Sequence, residues 1–128
     1  MLEPLFAEIR MSVKVAVVID DDKRTREILR LLLELEGVVV DCCENGSSAH
    51  KRLREMHFDL ILIDYRLPET DGAEVTRSVR DLFPYVFIVG MSIESKQQEF
   101  MSAGADVFIH KARLMQDLLP VARRKLQQ

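Results

Sequence analysis

The chain has 128 residues, of which 48% are hydrophobic and 30% charged, with a net charge of −3 and a pI near 5.6. This length predicts one domain with one core and leaves too little chain for two. The slight acidic excess provides no basic field for nucleic acid, and no apolar run approaches the ~18 residues that a membrane span needs. The only cysteines, Cys42 and Cys43, are too few for a disulfide framework, so we expect a reducing cytoplasm.

Residues 1–12 are predicted to be an N-terminal extension, with the domain proper covering residues 13–128. The extension lacks the basic start and apolar block of a secretory signal. Leu2, Leu5, Phe6 and Ile9 fall at helical spacing, although a segment this short makes only a marginal helix alone. Two interpretations stay open: a short amphipathic helix that docks or dimerises, and a disordered extension upstream of the domain.

Strand and helix patterns alternate along the rest of the chain. The predicted strands cover residues 13–19, 38–43, 60–64, 86–92 and 107–109. The predicted helices cover residues 23–36, 47–56, 72–82, 94–103 and 116–126. Right-handed crossovers between such units give an α/β fold, a (βα)5 chain whose parallel sheet has helices on both faces.

Three finer expectations concern the helices. The core-facing stripe of the first helix is predicted to consist of Ile28, Leu31, Leu32 and Leu35, with Leu29 and Leu33 off that stripe. Ser47 or Ser48 is predicted to cap the second helix. Pro120 is expected in the first turn of the last helix, where a missing backbone N–H costs little.

Several acids follow predicted strands directly. Four apolar residues, 60–63, lead into Asp64, and a charged side chain at the end of a buried strand is costly unless it has a use. Asp20 and Asp21 follow the first strand, and the carboxyl ends of parallel strands share the edge where ligands bind. These carboxylates are therefore expected to converge. Oxygen-only ligands suit Mg²⁺ or Mn²⁺ and disfavour zinc, while Asp22 is expected to cap the first helix.

Two further polar residues follow the last two strands. Lys111 offers a point charge for a phosphoryl oxygen, and Ser92 offers a hydrogen bond. A carboxylate nucleophile at Asp64, a divalent metal, a lysine and a hydroxyl are the groups needed to form an aspartyl-phosphate.

Five motifs in order resemble those of the receiver domains of two-component response regulators, over about residues 13–126. They are Val18-Ile19-Asp20-Asp21-Asp22 with Arg26, Leu62-Ile63-Asp64 with Pro68 and Asp71-Gly72, Ile88-Val89-Gly90-Met91-Ser92, Ala103-Gly104-Ala105-Asp106, and Phe108 with Lys111. The resemblance implies a flavodoxin-like, doubly wound five-stranded sheet of order 2-1-3-4-5.

The resemblance also implies roles for individual residues. Asp64 would be the phospho-acceptor, Asp21 a direct Mg²⁺ ligand, Asp20 a ligand acting through water, and the backbone carbonyl of Arg66 a further metal ligand. Ser92 would be the switch hydroxyl, Lys111 the site lysine and Phe108 the aromatic residue that changes rotamer on activation.

The function that the resemblance implies is signalling by phosphoryl transfer. The donor would be a phosphohistidine on a sensor histidine kinase or a histidine phosphotransfer protein, and the receiver would catalyse the transfer and its own later hydrolysis. The output surface would be the face of the fourth helix, fifth strand and fifth helix, which could also form a homodimer. Because the chain ends at Gln128, it is expected to act by binding a partner protein or to be a receiver piece of a longer protein, with no direct contact to nucleic acid or membrane.

Some positions depart from the family pattern. The segment from Ser92 to Gly104 is about three residues shorter than usual, and a register with Gly90 or Val89 in the switch position would lose the hydroxyl. Ala112 follows Lys111 where many members have proline. Arg66 and Glu94, two residues beyond Asp64 and Ser92, are predicted to pair across the mouth of the site and to change the lifetime of the phosphoryl group.

Two alternatives belong to other functional classes. One is a receiver-like interaction module that binds its partner without phosphorylation. The other is a haloacid-dehalogenase-like phosphatase, which also uses a strand-end aspartate and Mg²⁺. Arg66 stands where that class has its second acid, two residues beyond the nucleophile.

Overall fold

A parallel sheet of five strands in the order β2-β1-β3-β4-β5 forms the centre of the computed structural model, which describes residues 13–126. The strands are β1 Val15–Ile19, β2 Val39–Cys43, β3 Leu60–Asp64, β4 Phe87–Ser92 and β5 Val107–His110. The helices are α1 Lys23–Glu34, α2 Gly46–Glu55, α3 Gly72–Leu82, α4 Gln97–Ala103 and α5 Leu114–Leu126. The predicted flavodoxin-like (βα)5 fold is confirmed; the predictions for residues 1–12 lie outside the described residues.

Helices cover both faces of the sheet, so its middle strand is inaccessible to solvent. One core layer includes residues of α1 and α5, and the other includes residues of α2, α3 and α4. Every residue of β3 is buried, as expected for a continuous apolar strand between two helical layers. Within residues 13–126, no helix combines the length and apolarity needed to cross a membrane.

The buried face of α1 differs from the predicted stripe. Leu29 and Leu33 are fully buried, whereas Ile28, Leu31 and Leu35 are 49%, 60% and 73% exposed. Of the predicted stripe, only Leu32 packs against the core, where it is half-buried. Residues 28–35 are mostly apolar, so two neighbouring stripes satisfy the helical period equally well and the pattern cannot separate them. The pair spaced four residues apart, Leu29 and Leu33, packs into the core layer that includes β1 and β3.

Two helix starts also differ from expectation. Asn45, not Ser47 or Ser48, caps α2, because its side-chain oxygen accepts hydrogen bonds from the Ser48 backbone N–H at 2.8 Å and from the Ser48 hydroxyl at 2.9 Å. Helix α5 begins at Leu114, so Pro120 lies inside the helix and not in its first turn.

Arg80 binds several groups at the amino-terminal edge of the sheet. Its guanidinium donates to the carbonyl of Gly104 at 2.9 Å, to the carbonyl of Val86 at 2.7 Å and to Asp106 Oδ2 at 2.7 Å. Gly104 caps the end of α4 in the left-handed conformation, with φ at 109°. The carboxyl end of α4 is therefore bound to the segments that begin β4 and β5.

Candidate functional site

The predicted convergence of acids is present at the carboxyl-terminal edge of the sheet. One carboxylate oxygen each from Asp20, Asp21 and Asp64 lies within 4.8 Å of the other two. Asp20, directly after β1, and Asp64, the last residue of β3, are buried, whereas Asp21 is exposed. Two buried acids and one exposed acid thus share a small volume that solvent reaches from one side.

Asp20 has one well-bonded oxygen and one that lacks a hydrogen-bond donor. Its Oδ1 accepts a hydrogen bond from the Asp22 backbone N–H at 2.9 Å. Its Oδ2 lies 2.8 Å from Lys111 Nζ, close enough for an ion pair. The geometry of this contact is not that of a hydrogen bond, so this buried oxygen accepts no hydrogen bond from the described residues. A buried carboxylate oxygen of this kind, beside two further carboxylates, fits a hard divalent cation such as Mg²⁺ or Mn²⁺.

Asp22 takes the structural role that the sequence indicated. It is the N-cap of α1, and its side chain accepts hydrogen bonds from the Arg24 backbone N–H and from the Thr25 hydroxyl. The Thr25 hydrogen bond is the main reason why the pKa of Asp22 is lowered. Asp22 is therefore engaged in the helix start.

Lys111 lies between the two buried acids. Its Nζ is 3.0 Å from Asp64 Oδ1 as well as close to Asp20. Burial opposes the charge on this lysine, but the close contacts of Nζ with the carboxylates of Asp20 and Asp64 raise its pKa. Lys111 therefore stays protonated and places a positive charge beside Asp64.

Burial has the opposite consequence for Asp64. It raises the pKa of this carboxyl to about 6, the negative charge of Asp20 adds to the effect, and Lys111 opposes it. Asp64 is thus mostly ionised at neutral pH, but its charge is poorly solvated. A poorly solvated carboxylate next to a cation is a suitable oxygen nucleophile.

Ser92 closes β4 at the same edge and is 1% exposed. The strand register places Asp64 beside Met91 and Ile63 beside Gly90, so Ser92 lies one residue beyond the level of Asp64. Its hydroxyl oxygen accepts a hydrogen bond from the Glu94 backbone N–H at 3.0 Å. This register leaves Val89 and Gly90 further inside the sheet than Ser92.

The predicted pair between Arg66 and Glu94 is also present. Arg66 Nε is 2.6 Å from Glu94 Oε1, and Arg66 Nη2 is 2.9 Å from Glu94 Oε2. These hydrogen bonds raise the pKa of Arg66 and lower that of Glu94. Because the Glu94 amide binds Ser92, the pair connects the segment after β3 with the segment after β4.

The turn after Lys111 forms without the proline common in this family. Residues Lys111–Arg113 make a 3-10 turn, and the Ala112 backbone N–H donates to His110 Nδ1 at 3.1 Å. The histidine side chain therefore caps the turn. Ala112 does not disturb the position of Lys111 between its two carboxylates.

A cluster of three aromatic side chains, Tyr65, Phe100 and Phe108, lies next to the site. Of these, only Phe108 was singled out from the sequence. Phe108 is half-buried, and its ring centroid is 5.9 Å from that of the fully buried Phe100. Phe100 in turn packs edge-on against Tyr65, also at 5.9 Å. Gly90 inside a strand was the available indication of Phe100, because glycine there often marks a close approach by another group.

Comparison with known proteins identifies the family. Residues 16–123 match the family model of the response regulator receiver domain. The chain is 37% identical over 97 residues to the transcriptional regulatory protein ResD of Bacillus subtilis, covering 74% of this chain and 40% of ResD. It is 32% identical over 120 residues to the response regulator MprA of Mycobacterium ulcerans, covering 91% of this chain and 51% of MprA. The chain therefore spans about half or less of the length of these two relatives.

Solved structures agree with the family match. The response regulator TrrA of Thermotoga maritima, in complex with Mg²⁺ and BeF, has a TM-score of 0.80 and 30% identity, covering 89% of this chain and 99% of that one. A CheY-like receiver domain protein of Methanospirillum hungatei has a TM-score of 0.83 and 26% identity, covering 90% of this chain and 94% of that one. With its family match, its fold and its cluster of acids, the chain belongs to the response regulator receiver domains of two-component systems.

Proposed function

We propose that this domain accepts a phosphoryl group on Asp64 from a phosphohistidine of a sensor histidine kinase or a histidine phosphotransfer protein. The observation that best supports this function is the position of Lys111 Nζ, 3.0 Å from Asp64 Oδ1 and 2.8 Å from Asp20 Oδ2. A lysine between two buried acids at a sheet edge is not expected to add to folding stability, because burying charges is costly. It does suit a site through which negative phosphoryl oxygens pass.

The transfer exchanges one bond to phosphorus for another. An oxygen of the Asp64 carboxylate attacks the phosphorus, the P–N bond of the phosphohistidine breaks, and its electron pair returns to the imidazole ring. Lys111 offsets the charge of one phosphoryl oxygen, and the Ser92 hydroxyl donates a hydrogen bond to another. In the later hydrolysis, water attacks the phosphorus and the Asp64 carboxylate leaves.

The acids of the site would hold Mg²⁺, or Mn²⁺ in its place. The ligands would be Asp20, Asp21, Asp64 and the backbone carbonyl of Arg66. When bound, the ion supplies positive charge to the phosphoryl oxygens during transfer. No histidine or cysteine belongs to this group of ligands, and an all-oxygen set favours Mg²⁺ over zinc.

Phosphorylation would act on a partner through Ser92 and Phe108. Ser92 would move towards the phosphoryl group, and Phe108 would turn into the space that it leaves, shifting a two-state equilibrium. The surface of α4, β5 and α5 would then bind a downstream protein or a second copy of the chain. The exposed side chains Met101 and Met115, 42% and 64% accessible, support an interaction surface there.

The receiver domain, residues 13–128, would act in the cytoplasm and would bind neither nucleic acid nor membrane directly. The free thiols are consistent with that compartment, because Cys42 and Cys43 form no disulfide.

Intact mass spectrometry after incubation with acetyl phosphate and Mg²⁺ tests the central claim. Wild type should gain one phosphoryl group and Asp64→Asn should gain none. An adduct on both proteins, or on neither, would overturn the assignment of Asp64. Absence from folded wild type would favour an interaction module that works without phosphorylation, and turnover of small phosphomonoesters would favour a phosphatase.

A further inference from the structure

One row of side chains across the sheet is interrupted by a glycine. Ile63 of β3, Gly90 of β4 and Phe108 of β5 are in register on neighbouring strands, so their side-chain positions share one face. Gly90 has no side chain to fill its place in the row. The fully buried ring of Phe100, from α4, fills it instead.

The fit between Phe100 and the backbone around it is close. A Cβ at position 90 would overlap the Phe100 ring, and a Cβ at Gly72 would lie 2.8 Å from Phe100 Cζ. Gly72 begins α3, and its backbone N–H donates to the carbonyl of Tyr65 at 2.7 Å. Phe100 therefore lies between the segment that follows Asp64 and the strand that ends in Ser92.

Phe100 also occupies the space beside Phe108. The two rings are tilted at 34° with their centroids 5.9 Å apart, and both belong to the core layer on this face of the sheet. For Phe108 to turn inward past β4, it would have to enter the volume that Phe100 fills. A closely packed interior does not accept a second ring there without moving the first.

From these contacts we infer that Phe100 is a positioning residue that couples the site to α4. The inference deepens the proposed function and rests on it for the direction of the change. Phosphorylation of Asp64 displaces Phe100 from its place over Gly90, and α4 moves with it because the ring is fixed to that helix. Phe108 follows into the space, so the signal reaches the surface through Phe100 and Phe108 together.

Hydrogen exchange of the α4 amides, measured with and without Mg²⁺ and acetyl phosphate, tests the coupling. Wild type should show a change in α4 exchange on phosphorylation. Phe100→Leu should still gain the phosphoryl group on Asp64 but should lose most of the α4 response. The matched control is Phe58→Leu, because Phe58 is a buried phenylalanine of the same core layer that packs edge-on against Phe83. It should lose stability yet keep the α4 response.

A second arm needs no phosphoryl group. Gly90→Ala adds a Cβ that overlaps the Phe100 ring, so α4 exchange should rise in the unphosphorylated protein. The double variant Gly90→Ala with Phe100→Leu removes most of the overlap and should return α4 exchange towards the wild-type value. If Gly90→Ala alone fails to fold, recovery of a folded double variant is the expected result, and a double variant that also fails to fold would count against the overlap with Phe100 as the cause.

The two arms separate the possible failures. Equal α4 responses in Phe100→Leu and Phe58→Leu would overturn the inference, as would unchanged α4 exchange in folded Gly90→Ala. Absence of a phosphoryl adduct on wild type would contradict the proposed function, while the Gly90→Ala arm would still decide whether Phe100 positions α4.

Discussion

The guanidinium of Arg66 binds the carboxylate of Glu94 through two hydrogen bonds, 2.6 Å and 2.9 Å long. The two residues follow β3 and β4, so the pair bridges the segments beside Asp64 and Ser92. An exposed ion pair of this kind adds little to folding stability, because solvent screens it. Because Arg66 and Glu94 lie two residues beyond Asp64 and Ser92, we expect the pair to matter more for the access of water to Asp64.

Removing either member of this pair should shorten the lifetime of the phosphoryl group. We expect Arg66→Ala, Glu94→Ala and the double variant to hydrolyse the aspartyl-phosphate several-fold faster than wild type, and by similar factors, since each change breaks the same pair. Decay of the phosphorylated mass measures the rate. Glu74→Ala, which breaks the exposed pair with Arg77 on α3, is the control. Wild-type rates in all three site variants would remove the role of the pair.

The stability of the protein should depend on pH through Asp64. Folding raises the pKa of Asp64 to about 6, so the folded state favours the protonated carboxyl. The protein is therefore expected to have its full stability below about pH 4, where Asp64 is protonated, and to lose stability as the pH rises through 6. Asp64→Asn has no charge to bury. In the presence of EDTA it should be more stable than wild type at pH 7.5, by about 3 kcal/mol for a shift of about two pKa units, and this advantage should disappear by pH 4.

Denaturant unfolding at several pH values measures this difference. The comparison needs the same buffer ions throughout, because the site has a high local charge. An advantage for Asp64→Asn that is constant across the pH range would show that burial of the Asp64 charge is not its cause.

Mg²⁺ should stabilise the folded protein through Asp21. A ligand that binds only the native state adds RT ln(1 + [L]/Kd), or about 2.7 kcal/mol at one hundred times Kd. The melting temperature of wild type should therefore rise with Mg²⁺ and level off, and Asp21→Ala should lose this response.

The neighbouring acid offers a control for the metal experiment. Asp22→Ala removes the N-cap of α1, which lowers the melting temperature, but it should leave the Mg²⁺ response intact. Equal Mg²⁺ responses in Asp21→Ala and wild type would exclude Asp21 as a ligand.

Two leucines on α1 that are only two residues apart should differ sharply in their effect on folding. Leu29 is fully buried, so Leu29→Ala should cost about 2–5 kcal/mol of unfolding free energy. Leu31 is 60% exposed, so Leu31→Ala should change it by about 0.5 kcal/mol or less. Urea denaturation of the two variants compares them directly, and similar losses in both would contradict the observed orientation of the helix.

The fold and the convergence of Asp20, Asp21 and Asp64 could be predicted from the sequence because both depend on strand patterns. A buried strand that ends in an acid is visible as an apolar run followed by Asp64, and the crossover rule then places Asp20 at the same edge. The face of α1 could not be predicted in the same way, because Leu29 and Leu31 are both apolar and only tertiary packing separates them. Phe100 was missed for a related reason: its partner across the gap is Gly90, which contributes no side chain to a hydrophobic pattern.

Arg80 has a consequence for how α4 can move. Its bonds to Gly104, Val86 and Asp106 tether the helix at its carboxyl end, one turn after Phe100. If α4 moves on phosphorylation as proposed, a helix held at Gly104 would be displaced least there and most at Gln97. A partner that binds only the phosphorylated state proposed above would therefore gain most by contacting the amino-terminal end of α4, close in sequence to Glu94.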